Sequence, residues 1–433
     1  METQKSILTD KERVQDLMDM IDQSPTAYQA VDREIELLES AGFTELKRED
    51  AWTLKAGGQY YIQLGDSALI GFRLGPDKEA PLHILGAHND SPSLRIKSKP
   101  DMAREGLKTL NVEPYGGLIF RTWLDRPLSI AGRLILRGEE GEVISRKINI
   151  DKDLLIIPSL AIHQDRNVNS EGAIQPQKMI IPIYGILAEE KNRGILSYIA
   201  DQFDLDREKI LDFDLQLYAR EKGCFLGDDE EFFSIGRIDD LAMAYAELTA
   251  LVESTPSTVH QLVVINDNEE VGSGTLRGAD SALLRDILFR IIQALGGNAE
   301  DCYRILAKSF IISADQAHAA HPNFPEMADP TNRPRINQGP VIKLAANKSY
   351  NTDAVSAARF RLLAEKAGVS VQTFHNHSDR RGGSTIGPLT ERWTTIPGVD
   401  VGNPMLAMHS VRELAGVKDH VAMIKIMKEF FKA

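Results

Sequence analysis

The sequence predicts an α/β protein: a mostly parallel sheet covered by helices, interrupted by an inserted β-rich domain. Outside the middle of the chain, short apolar runs of strand type alternate with segments of helix period, the order that builds parallel strands with helices on both faces. Between about positions 91 and 224 this alternation gives way to many short β-type pieces broken by glycine and proline. At 433 residues the chain is also long for one hydrophobic core, so two domains are expected. One is discontinuous, 1–92 plus 231–433, and the inserted one covers 93–230.

Taken in order, Val14, Leu17, Met18 and Ile21 recur at helix spacing, and Ser24-Pro25 then starts a second helix with a cap and a first-turn proline. That helix ends near Ser40 and is closed by Gly42. Short strands follow over 60–74, separated by Gly65, Gly71 and Gly75, and a further strand over 82–85 runs into Gly86-Ala87-His88-Asn89-Asp90. In the inserted region 118–123, 128–136 and 179–183 read as strands, and the polar stretch 164–177 as a long loop. Beyond Glu231 come a helix after Asp239-Asp240, a strand at Val263 to Ile265, a helix over 282–295 and a strand over 310–313. A helix over 354–367, strands near Val371 and Met405, and a C-terminal helix carrying Val421, Ile424, Met427 and Phe431 complete the pattern.

The net charge of −13 excludes nucleic acid and anionic membrane as main partners, since both need a basic face. Cys224 and Cys302 have no CxxC spacing and are too few for a disulfide framework, which fits a reducing compartment and leaves metal work to histidine and carboxylate. The polar start, METQKSILTDKERV, carries no apolar leader, and no apolar run approaches membrane-spanning length. A cytoplasmic protein is the expectation.

The chemistry is densest in Gln261 to Gly274, QLVVINDNEEVGSG, where two adjacent carboxylates follow a buried strand. Neighbouring side chains at the mouth of a sheet point different ways, so of Glu269 and Glu270 one can bind a metal while the other handles a proton. By itself an EE pair is most simply a solvated loop. Partners elsewhere change that reading: His88 and Asp90 follow the 82–85 strand, Asp315 the Ile311 strand, His409 the PMLAMHS run, and Asp239 opens a helix. Singly these are a buried histidine or a helix cap; together they arrive at strand carboxyl ends, which line the ligand crevice of an open α/β sheet. Asp239, Glu270 and Asp315 bring three negative charges beside neutral imidazoles, a balance that favours two divalent ions over one. Asp90, two residues from His88, can accept its second ring proton and fix the tautomer.

These residues carry a resemblance to the aspartyl aminopeptidase family, cytosolic two-metal exopeptidases of zinc type. It runs through SPTAYQAV, AHNDSPSLRIK, YGGLIFRTWLDRPLSIAGR, PSLAIHQDRNVN, RIDDL, DNEEVGSG, SADQAHAAHPNF, GPVIK, STIGP and MLAMHSVREL, nearly the whole chain. The resemblance implies that His88, Asp239 and Asp315 bind one ion and Asp239, Glu270 and His409 the other, with Glu269 as general base. It implies zinc, although such donors also accept Mn and Co. Lys343 and His318 or His321 fall where the family places substrate-pocket residues, and His163 where one subunit reaches into its neighbour's site. A dimer-building insertion and a closed dodecamer are implied as well. RIDDL stands where the family commonly has Asn after the bridging Asp, and the segment around Arg380-Arg381 departs from the family pattern. The added cations either favour an acidic residue or lie on the surface.

The expected activity is removal of single N-terminal residues, Asp or Glu, from peptides. The alternatives are an aminopeptidase for neutral or hydrophobic N-termini, a catalytically silent assembly or receptor-type binding protein, and an amidohydrolase acting on N-acyl amino acids.

Overall fold

A computed structural model describes residues 8–170, 172–188, 193–380 and 382–432. The chain forms two compact units. The first comprises Met1–Asp90, Gly223–Met408 and Glu413–Ala433, the second Ser91–Lys222 with His409–Arg412.

The first unit is built on a nine-stranded sheet. Its strands lie in the order Thr44–Glu45, Gln59–Leu64, Ala68–Arg73, His260–Asn266, Leu82–His88, Phe310–Ala314, Gly398–Gly402, Val341–Lys343, Gln372–Phe374. The four central strands, from His260–Asn266 to Gly398–Gly402, run parallel, with Asn266 opposite His88 and Ser313 opposite both Gly86 and Asp400. Antiparallel pairings flank this centre. Alternate residues of one strand enter different cores, the mark of a sheet covered on both faces. Val263 and Ile265 pack with Leu251, Phe360 and Met427 from three helices, whereas Leu262 and Val264 pack with Leu288, Ile291 and Leu306 from two others.

Those helices are Ile238–Glu253, Ala354–Lys366 and Val417–Lys432 on one face, Leu283–Ala294 and Ala299–Lys308 on the other. At the chain start, Asp10–Asp22 buries Val14, Leu17, Met18 and Ile21 behind a capping box of Thr9 and Glu12, and Ala27–Ser40 starts from Thr26, whose side chain accepts the Tyr28 N–H. A second, five-stranded sheet joins Cys224–Leu226, Phe232–Ile235, Glu413–Gly416, Pro404–Leu406 and Ala317–His318. Of its strands Pro404–Leu406 is the one expected near Met405; the others are too short to show a period in the sequence.

The second unit holds a six-stranded antiparallel sheet ordered Val143–Asn149, Leu128–Arg137, Ile210–Ala219, Ser93–Arg104, Leu107–Tyr115, Ile183–Ile186. Two segments expected as strands differ. Phe120–Trp123 forms a single 3-10 turn that buries Trp123, and Pro176–Met179 is a short helix preceding the strand Ile183–Ile186. Both have strand-type composition, but each is too short and too close to a proline or turn to extend. Among the described residues, no helix is long and apolar enough to cross a membrane.

Candidate metal centre

His88 ends the Leu82–His88 strand and is 1% exposed. Its Nε2 faces Asp239 Oδ1 at 3.5 Å, and its Nδ1 lies 3.0 Å from the Asp90 carbonyl oxygen and 3.4 Å from Asp90 Oδ1. The shorter contact fixes the ring proton on Nδ1 and turns Nε2 toward the carboxylates. Asp90 does a further thing that its spacing from His88 did not suggest. Its Oδ1 accepts the Glu269 N–H at 3.0 Å and its Oδ2 the Glu270 N–H at 3.1 Å, so one buried carboxylate holds the backbone of both glutamates. The two occupy a single 3-10 turn, Glu269–Val271, entered through Asn268 at φ +64.

Asp239 and Asp240 stand inside the first turn of Ile238–Glu253 with non-helical backbone angles, joined by a cis peptide bond. The Ile238 and Asp239 N–H groups left without helical acceptors are taken by Glu413 Oε2, at 2.7 and 3.2 Å. Asp240 Oδ2 accepts the His88 N–H at 3.3 Å. Asp315 follows the Phe310–Ala314 strand; a Cβ at Gly402 would lie 1.9 Å from its carbonyl oxygen, so only glycine lets the neighbouring strand pass. Lys343, 3% exposed, sets its ammonium 3.3 Å from Asp315 Oδ2.

Ligand-type atoms of His88, Asp239 and Asp315 lie within 4.8 Å of one another, as do those of His88, Glu269 and Glu270. Burial pushes the Asp315 carboxyl up to about 6, with Asp239 adding to the rise and Lys343 opposing it. It pushes Glu269 up to about 7, Asp315, Asp90 and Asp239 adding to the rise against His88, and it carries Glu270 well above the usual carboxylate range with Asp239 repelling it. Burial works against a charge on His88, yet Asp239 and Asp90 hold its pKa well above the ordinary value. Carboxylates this crowded and this dry need cations or protons to offset them. An imidazole nitrogen converging with carboxylate oxygens is a donor set for a divalent first-row ion, so these residues fit a metal.

The remaining expected residues fall as follows. His318 ends the short strand Ala317–His318, and both it and His321 line a cavity in the first unit with Arg380. Arg381 lies outside the described residues. His163 sits in an exposed turn of the second unit. His409, grouped with that same unit, places Nδ1 2.9 Å from the Gly117 carbonyl oxygen. Sequence reasoning missed Glu413 and the clamping role of Asp90.

Residues 20–431 match the model of the Aminopeptidase I zinc metalloprotease (M18) family. The chain is 48% identical over 422 residues to a probable M18 family aminopeptidase 2 of Clostridium novyi, covering 96% of this chain and 98% of the relative. A similarly described protein of Clostridium acetobutylicum is 47% identical over 421 residues, 96% of this chain and 97% of that one. Among solved structures, a cryo-EM structure of an Ape4 and Nbr1 complex superposes with a TM-score of 0.95 at 34% identity, over 99% of this chain and 87% of that one. A structure of the S. cerevisiae mApe1 dodecamer does so with a TM-score of 0.83 at 28% identity, over 96% and 95%. A family match over almost the whole length and relatives near half identity settle the class: the chain belongs to the M18 zinc aminopeptidases, which are hydrolases of exopeptidase type.

Proposed function

We propose that the enzyme releases single N-terminal Asp or Glu residues from peptides at a centre of two divalent ions. The observation that carries this reading is the buried convergence of His88, Asp239 and Asp315 with Glu269 and Glu270 beside it. In this reading His88, Asp239 and Asp315 hold one ion, Asp239, Glu270 and His409 the other, and Asp239 is shared. Divalent ions held there supply Lewis acidity toward the scissile carbonyl and acidify water. Glu269, free of ligand duty and with its carboxyl pushed up to about 7, takes the proton of the attacking water and delivers it to the leaving amine. Asp90 keeps the base and the ligand Glu270 in fixed register through their N–H groups.

Acidic N-termini must be drawn by local positive charge, because a protein of net charge −13 repels them at long range. Lys343 supplies it in the first unit, His318 and His321 stand as ring donors, and His163 from a neighbouring subunit adds a further donor. The second unit serves self-association: its sheet ends at two opposite edge strands, Val143–Asn149 and Ile183–Ile186, each with an exposed apolar side chain, Val143 at 71% and Ile186 at 75%, and either edge suits pairing with a partner copy. The dodecameric relative supports a closed shell of the same kind, admitting only short or unfolded peptides, and we place the enzyme in the cytoplasm.

The test is a panel of aminoacyl chromogenic substrates, run after chelation and reconstitution with Zn, Mn or Co. Asp and Glu substrates should be cleaved fastest, with about two ions restored per chain. Faster cleavage of Leu than of Asp would overturn the acidic preference in favour of a neutral-residue aminopeptidase.

A further inference from the structure

Asp239, the ligand shared by both ions in the proposed mechanism, stands where its own helix cannot hold it. First-turn N–H groups have no helical acceptor, and Asp239 at φ −84 and ψ 106 also lies outside helical geometry. What fixes it comes from side chains distant in sequence. Glu413 opens the strand Glu413–Gly416 and pairs across the sheet with Ile235. From Ile235 the chain passes through Arg237, at φ +62, whose guanidinium donates to the Ile21 carbonyl oxygen at 3.1 Å. It then presents the Ile238 and Asp239 N–H groups to Glu413 Oε2, at 2.7 and 3.2 Å. Gln316, directly after the ligand Asp315, donates from Nε2 to the Ile238 carbonyl oxygen at 3.3 Å. The Ile238–Asp239 peptide is thus held at both poles, its N–H by Glu413 and its C=O by Gln316.

Both side chains are 2% exposed, which shields these bonds from competing water. An ionised oxygen that takes two N–H groups makes charge-assisted bonds, and removing it would orphan two buried donors. All three bonds fall within two peptide units of the Asp239 Cα, so they set the direction in which its carboxylate leaves the backbone. Gln316 adds a link of another kind, since it ties that peptide to the residue beside Asp315 and so relates two aspartates that converge with His88. Among the described residues Glu413 joins none of the converging ligand groups, so whatever it does for the ions it does through Asp239.

We infer that Glu413 and Gln316 are positioning residues of the metal centre, locking the Ile238–Asp239 peptide so that one carboxylate can serve two ions at once. The inference rests on the two-ion reading of the site and names what keeps the shared ligand in register. Because Asp239 is common to both ions, loosening it weakens both together, whereas a change at Glu270 acts on one.

The experiment reloads chelated wild type, Glu413→Met, Glu413→Gln and Gln316→Met with Zn or Mn. Methionine keeps the length of each side chain and removes its hydrogen-bonding end, whereas Gln at 413 keeps an oxygen able to take both N–H groups. Competition with a chromogenic chelator should show both ions weakened together, about 10–100-fold in Glu413→Met and several-fold in Gln316→Met, with Glu413→Gln close to wild type. Electron paramagnetic resonance of Mn-loaded wild type should show a coupled ion pair, and Glu413→Met should show uncoupled Mn at concentrations that saturate wild type. Wild-type affinity for both ions in Glu413→Met and Gln316→Met would overturn the inference. Equal weakening in Glu413→Gln and Glu413→Met would also overturn it, since charge rather than the N–H bonds would then be what counts. Should apo Glu413→Met lose its secondary structure by circular dichroism, Gln316→Met decides, and unchanged ion affinity there overturns the inference. A wild type that takes one ion and gives no coupled signal would sink the two-ion reading alone, and the same variants then judge the positioning role on the affinity of that one ion.

Discussion

His88 and His420 are both enclosed in the first unit, at 1% and 0% exposure, and their surroundings drive them in opposite directions. Burial depresses the pKa of each. Around His88, Asp239, Asp90, Asp240 and Glu269 overcome that cost and raise it well above the ordinary histidine value. Around His420 no carboxylate among the described residues compensates: burial pulls it down to about 3, Arg13 pushes the same way, neither ring nitrogen has a hydrogen-bond partner among those residues, and the ring stacks on Tyr245 at 5.8 Å. Burial alone thus makes histidine a neutral packing group. Burial among convergent carboxylates makes it part of a polar centre, and that second condition distinguishes His88 from His420.

The sharpest way to probe the polar region is to split its glutamate pair. Glu269→Gln removes the proposed base without altering shape, and turnover should fall by about three orders of magnitude or more with metal content retained. Glu270→Gln should instead lose metal first. Atomic absorption beside steady-state rates distinguishes them, and parallel loss of metal and rate in Glu269→Gln would make Glu269 a ligand. A smaller effect is expected from Asp90→Asn, which leaves one oxygen where two N–H groups need acceptors. Metal affinity by chelator competition should weaken about 10–100-fold; unchanged affinity would show that the turn holds its own shape.

The mildest change belongs to the apolar region. Because the folded pKa of His420 is depressed, its folding contribution is intact above the unfolded value near 6.5 and is lost as pH falls from there toward 3. His420→Phe should therefore melt like wild type at pH 8 and outlast it increasingly below pH 6, by on the order of a few kcal/mol at the acid end. Urea titrations across pH 4 to 8 measure this directly. Identical pH profiles would mean that His420 finds a proton-bound partner on folding.

What could be read in the sequence follows from range. Val263 to Ile265 reads as a doubly covered strand because its neighbours are uniformly apolar, and Ser24 to Gly42 reads as a capped helix because caps are local. His88, Asp239, Glu270 and Asp315 could be nominated because each sits at the end or start of such an element. Glu413 could not: it accepts N–H groups 174 and 175 residues away, and its own strand gives it the look of an exposed edge residue although it is 2% exposed. Lys343 could be named only through the family resemblance, because nothing adjacent in the chain predicts that a strand buries it against Asp315. The segment 118–123 misleads for the opposite reason, since its composition suits a strand while Trp123 gains more by turning into the core of the second unit.

Asp90 has one more consequence, for the choice of ion. A single carboxylate anchors the backbone of Glu269 and Glu270 alike, so a displacement of one residue's backbone is carried to the other. With Glu270 as ligand and Glu269 as base, an ion of different radius that shifts the first shifts the second with it. Exchanging Zn for the larger Mn would then change proton transfer as well as coordination, and ionic radius becomes a dial on the pH profile of the enzyme.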